Sequence, residues 1–161
     1  MTDNDNGNRR KGRWLSPRRL VIGAVALLVL IQFIPTWLWN TNPATVSQPK
    51  WDSPQTQALA KRACFDCHSN QTTWPWYSYV APGSWLITRD VLSGRRALNF
   101  DNWQTSLARR DRFPLDQQIQ REISRGDMPP NYFLWLHSDA KLTAVEQQQL
   151  IDGLAKTIQP K

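Results

Sequence analysis

Metal-binding and cross-linking residues are scarce in this chain. Of its 161 residues two are cysteine, two are histidine, and one methionine remains after the initiator. A disulfide could therefore join only Cys64 to Cys67, and it would leave the adjoining His68 without a role. A four-ligand zinc site would need Cys64, Cys67, His68 and His137, with none to spare. His137 is isolated in the sequence, and the consecutive Cys67 and His68 point different ways on a helix. No stretch alternates apolar and polar residues as a strand does, so the βαβ setting of a thioredoxin-like dithiol is missing. Internal repeats and low-complexity tracts are absent as well. No nucleic-acid-binding motif accompanies the net charge of +7, which makes that charge weak support for a nucleic-acid partner.

The charge is unevenly placed. Residues 1–19 form a basic tail in which Arg9, Arg10, Lys11, Arg13, Arg18 and Arg19 face Asp3 and Asp5. After residue 40 there are 14 Lys/Arg and 11 Asp/Glu, a balance of only +3. Between these parts lies an apolar run, residues 20–34, whose one polar member is Gln32. Counted on to Trp39 it is long enough to span a bilayer, with Trp37 and Trp39 at the aromatic-belt position. No small-residue cleavage site follows it. We therefore read residues 20–39 as an uncleaved transmembrane signal anchor in the inner (cytoplasmic) membrane. The basic flank keeps residues 1–19 in the cytoplasm and sends the rest across. Residues 40–52, with two prolines and few apolar side chains, read as a linker that holds residues 53–161 a short distance off the membrane.

Both cysteines fall in Cys64-Phe65-Asp66-Cys67-His68. C-x-x-C-H is the attachment signature of c-type haem. Two thiols one helical turn apart can each form a thioether with a vinyl-derived carbon of one porphyrin. The adjoining imidazole can then reach the iron. Covalent haem c is attached outside the cytoplasm, which agrees with the orientation set by the basic tail.

The exported part reads as all-α. Ser53-Pro54 is an N-cap followed by proline at the first helical position, opening a helix that runs into Cys64. A second helix starts near Ser84 and ends near Gly94. A short one follows Asp101 or Asn102. A third spans residues 115–125 and stops at Gly126. The last opens on the capping-box pattern Thr143-Ala-Val-Glu146, buries Val145, Leu150, Ile151 and Leu154, and ends at Pro160. Residues 69–85 are irregular and rich in aromatics. They suit a rigid wall against a flat apolar cofactor as well as they suit ordinary core packing.

A haem with one histidine leaves a sixth position. Met128 stands in Gly126-Asp127-Met128-Pro129-Pro130, a loop stiffened by two prolines, and methionine ligation raises the reduction potential relative to histidine. Met128 as a core gap-filler, His137 as ligand and an open iron are the alternatives.

The run 63–70, with Trp74-Pro-Trp-Tyr77, Val80-Ala-Pro82, Ser84-Trp85-Leu86, Arg89-Asp90-Val91, Gly94-Arg95-Arg96, Leu98-Asn99-Phe100, Trp103, Gly126-Asp127-Met128-Pro129-Pro130, His137 and Leu142-Thr143, resembles the bacterial haem-binding domain family of small c-type cytochrome-like proteins. The resemblance spans about residues 53–155. It implies a cytochrome c-like haem domain with Cys64 and Cys67 as thioether attachment points, His68 as proximal ligand and Met128 as distal ligand. Asp127 stands where the family more often has glutamate. The expectation is a membrane-anchored monohaem cytochrome that passes single electrons to redox partner proteins in the envelope, more a carrier than an enzyme. A mildly basic face would suit an acidic partner. A catalytic or ligand-sensing haem domain and a haem-bearing structural module are the rivals.

Overall fold

The computed structural model describes residues 16–109 and 113–159. Most of the basic tail and Pro160 lie outside the described residues. The chain divides into two units, residues 1–35 and 36–161.

The first unit holds α1, Pro17–Ile31, with proline at its start and no buried residue. The stretch Pro17–Trp39 has mean hydropathy 2.3 over its best window, apolar and long enough to cross a membrane. A membrane anchor and a signal sequence both have that character. The continuous helix stops at Ile31. Thr36–Trp39 is a 3₁₀ turn that belongs to the second unit, where the Thr36 hydroxyl donates to Ser84 Oγ at 3.1 Å.

The second unit is helical and, among the described residues, has no strand. One isolated parallel bridge pairs Ser47 with Asn102. Its helices are α2 (Pro54–Ala63), α3 (Phe65–His68), α4 (Gly83–Ala97), α5 (Trp103–Ala108), α6 (Leu115–Ser124), α7 (Asn131–Leu134) and α8 (Ala144–Ile158). Local chemistry fixes several ends. Ser53 Oγ accepts from Thr56 N–H at the start of α2. Thr143 and Glu146 form the capping box that opens α8. Gly126, with φ +74°, turns the chain out of α6 in the left-handed region that glycine tolerates.

The core lies between α2, α6 and α8. Leu59, Ala60, Ile123, Leu150 and Leu154 meet there, and Leu150 is wholly buried. Truncating such a leucine to alanine costs about 2–5 kcal/mol. Beside it runs an aromatic column in which Phe65 stacks on Phe100 at 5.2 Å and Phe100 on Trp103 at 5.9 Å. Trp51 leans on Phe100 at 5.3 Å and on Phe65 at 6.2 Å, tilted to both rings.

Three expectations are revised. α4 does not end near Gly94 but continues to Ala97, because Gly94 sits against the Cys67 backbone and is a packing residue. Val145 is exposed, not buried. It precedes Leu150 by five residues, roughly 140° around the helix from the buried stripe. The polar segment 40–52 is laid along the unit as a strap. Asn42 Nδ2 donates to Thr72 O, Arg95 donates to Thr41 O and Asn42 Oδ1, and Thr45 and Gln48 donate to the Asp101 carboxylate.

Candidate haem site

α2 delivers the C-x-x-C-H run to one side of the unit. Cys64 ends α2, its N–H donating to Ala60 O at 2.9 Å. Its own carbonyl then accepts from Cys67 N–H at 3.2 Å and from His68 N–H at 2.9 Å. This single closed turn, α3, sorts its side chains. Phe65 is buried in the aromatic column, while Cys64, Asp66, Cys67 and His68 line a cavity of about 390 Å³. That volume falls in the range typical of small-molecule and cofactor sites. Cys67 and His68 reach the same cavity although they are consecutive.

α4 forms the floor under this turn. Gly94 lines the cavity, and a β-carbon there would overlap the Cys67 carbonyl, so only glycine lets α4 come this close. The last turn of α4 leads to Leu98, whose carbonyl lies 3.1 Å from His68 Nδ1. With Nδ1–H donating to that oxygen, Nε2 keeps its lone pair and is left to bind a metal. Burial pushes the His68 pKa down, against the opposing hydrogen bonds to Leu98 and Gly94, which favours the neutral ring, the form that ligates.

The two cysteines are free thiols. Burial pushes both up to about 12, helped at Cys64 by Cys67 and at Cys67 by Asp90 and Asp66, with Arg95 opposing. Reactive C-x-x-C dithiols have their pKa lowered, the reverse of this environment. Among the described residues no three His, Cys, Asp or Glu side chains converge as metal ligands, which removes the geometric basis for a zinc site on Cys64, Cys67, His68 and His137.

The rest of the cavity comes from later in the chain. Val91, Leu98, Ile119, Ile123 and Leu154 make it apolar. Met128 lines it from the loop after α6, where Asp127 N–H and Met128 N–H both donate to Glu122 O. Met128 is 37% exposed. His137 also lines the cavity, but both its nitrogens are engaged. Nδ1 lies 3.1 Å from Phe133 O and Nε2 3.4 Å from Tyr77 Oη, with the ring stacked on Phe133 at 4.0 Å. Of the aromatics in residues 69–85, Tyr77 lines the cavity. Trp76 is exposed, and Trp74 donates to Asn42 beneath the Arg95 guanidinium.

The structure thus gathers Cys64, Cys67, His68, Met128 and His137 around one apolar cavity. Sequence reasoning missed Gly94 and the Leu98 carbonyl. A glycine inside a helical pattern was the available signal for the first, since such a residue costs helix stability and needs a packing reason. The second, a backbone oxygen thirty residues from its partner, left no sequence signal. The donors fit haem iron: one neutral imidazole nitrogen and one thioether at an apolar cavity, with two thiols on a single turn. No curated protein and no solved structure matches the chain significantly. The family profile described as a haem-binding domain matches residues 26–156, most of the sequence, and the chain belongs to that haem-binding family.

Proposed function

We propose that this protein is a membrane-anchored, exported monohaem c-type cytochrome that carries single electrons between partner proteins of the cell envelope. The observation that carries this reading is the shared cavity: Cys64, Cys67 and His68 from one helical turn and Met128 from a distant loop all line it. In this reading the thiols of Cys64 and Cys67 are consumed as thioethers. His68 Nε2 is the proximal ligand, and the Leu98 carbonyl holds its ring and tautomer. Met128 is the distal ligand. When bound, haem supplies a one-electron Fe(III)/Fe(II) couple whose potential the axial pair and the apolar surroundings tune. The protein's part is to hold the imidazole and thioether in place and to keep water from the apolar walls.

Absorption spectra of the full chain, produced with haem-maturation machinery, test this in both redox states. A c-type reduced α band and a weak long-wavelength methionine-to-iron band in the oxidised form are expected. A c-type spectrum without the methionine band, together with carbon monoxide binding to the reduced form, would instead favour a ligand-binding haem. The 37% exposure of Met128 gives that second reading its footing. Absence of haem after maturation overturns both.

A further inference from the structure

Two stretches of this chain carry no Asp, Glu, Lys or Arg: residues 20–49 and 69–88. In a chain that is 20% charged, their meeting in space calls for a reason. Within the second unit the fold brings them together. Thr36 Oγ1 donates to Ser84 Oγ, Asn40 Nδ2 donates to Ser78 O at 2.7 Å, and Thr88 Oγ1 donates to Asn40 Oδ1 at 2.7 Å. The turns Thr36–Trp39 and Trp76–Tyr79 and the first half of α4 therefore make one uncharged surface. Its exposed large apolar side chains are Trp37, Leu38, Trp39, Trp76, Tyr79, Val80 and Leu86. Tryptophan and tyrosine are the residues that settle at the membrane–water interface, an apolar body in the lipid and a polar edge in the headgroups. A surface without charge can enter that layer with no ion to desolvate.

Chain connectivity supplies the second argument. Residues 32–35 alone lie between the end of α1 and the turn Thr36–Trp39. Four extended residues reach at most about 14 Å. The segment expected to act as a spacer, 40–52, comes after this surface and is bonded down as a strap. We propose that the Trp37/Trp39/Trp76/Tyr79 surface docks into the interfacial layer of the bilayer that holds the chain's own apolar segment. The haem domain then lies on the membrane and is not held off it. Trp76 meets Tyr77 edge-on at 5.7 Å, and Tyr77 lines the cavity, so docking also sets which wall of the cavity adjoins the lipid. The inference rests on reading the apolar segment as a retained anchor.

The test uses the full-length, haem-loaded protein in phosphatidylcholine vesicles, with hydroxyl-radical footprinting read by mass spectrometry. Trp76 and Trp135 are 76% and 81% exposed in the fold, so a domain held off the membrane labels them alike. Docking protects Trp76 and Tyr79 several-fold relative to Trp135, and the W37K/V80K variant loses that protection while its haem spectrum is unchanged. Equal labelling of Trp76 and Trp135 in protein that resists alkaline carbonate extraction overturns the docking and leaves the anchor standing. Extraction by carbonate overturns the anchor, and the inference with it. Protection that fades as the protein is diluted in lipid means a second copy covers the surface, and that also overturns it.

Discussion

Gly94 stands directly against the Cys67 carbonyl, with no room between them for a β-carbon. The contact joins α4 to the turn that carries the haem motif. It also makes a substitution with opposite local and tertiary effects. In an exposed helix interior, glycine to alanine stabilises by about 0.5–1 kcal/mol. Here the neighbour is the Cys67 backbone, which cannot swing away, and overpacking costs about 1–3 kcal/mol. Gly94→Ala is therefore expected to lower the melting temperature and to reduce haem loading per chain. A rise in melting temperature with full loading would show that α4 and α3 are not pressed together as described.

Asp101 is a second point where distant segments meet. Its wholly buried carboxylate accepts from Thr45, Gln48 and Gln71 side chains and from Asn70 N–H. Burial alone would raise its pKa. The hydrogen bonds outweigh burial and hold it below the usual carboxylate value. A folded pKa below the unfolded value of about 3.9 means that this stabilisation is complete above about pH 5 and is lost as pH falls through the folded value. Asp101→Asn turns an amide donor toward donors already in place, at a cost of about 1.5–3 kcal/mol at pH 7. Urea melts at pH 7 and below pH 4 check this: the gap between variant and parent should shrink at the lower pH.

These two residues also show what was legible in the sequence. Ser53-Pro54 and Thr143–Glu146 announced the starts of α2 and α8 because a cap is satisfied within three residues. The haem motif was legible for the same reason, since all its groups sit on one turn. Gly94 has the sequence signature of a helix end, and its actual partner, Cys67, lies on another element. Residues 40–52 have the composition of a linker, and only the tertiary placement of Asp101 and Arg95 reveals them as a strap. Val145 is as apolar as the members of the buried stripe in α8, but the helix angle turns it to solvent.

Cys64 and Cys67 are expected to act together as attachment points. C64A/C67A should carry no haem that survives acid–acetone extraction or denaturing electrophoresis. Their thiols are held neutral and lie on an apolar cavity, so the loss should come from missing thioethers, with little change in fold. Helix content by circular dichroism, compared with the parent chain prepared without haem, separates the two causes. Covalent haem retained in the double variant would refute the assignment.

The choice between Met128 and His137 for the sixth position turns on which side chain has a free donor atom. His137 Nδ1 and Nε2 are both within hydrogen-bond reach of protein groups, Phe133 O and Tyr77 Oη, and its ring is stacked on Phe133. Binding iron through Nε2 would give up the Tyr77 contact. The Met128 thioether has no such commitment to surrender, because it is a weak hydrogen-bond acceptor. Met128→Ala is expected to abolish the methionine-to-iron band, lower the reduction potential and admit carbon monoxide to the reduced iron, since methionine ligation favours the reduced state. His137→Gln is expected to leave the band and the potential near those of the parent, and to cost about 1–3 kcal/mol of stability through the unpaired Tyr77 and Phe133 groups. Spectra and redox titrations of the two variants side by side decide the matter. If the His137 variant loses the axial signature and the Met128 variant keeps it, the ligand assignment is reversed and the low-potential, bis-histidine form is the correct one.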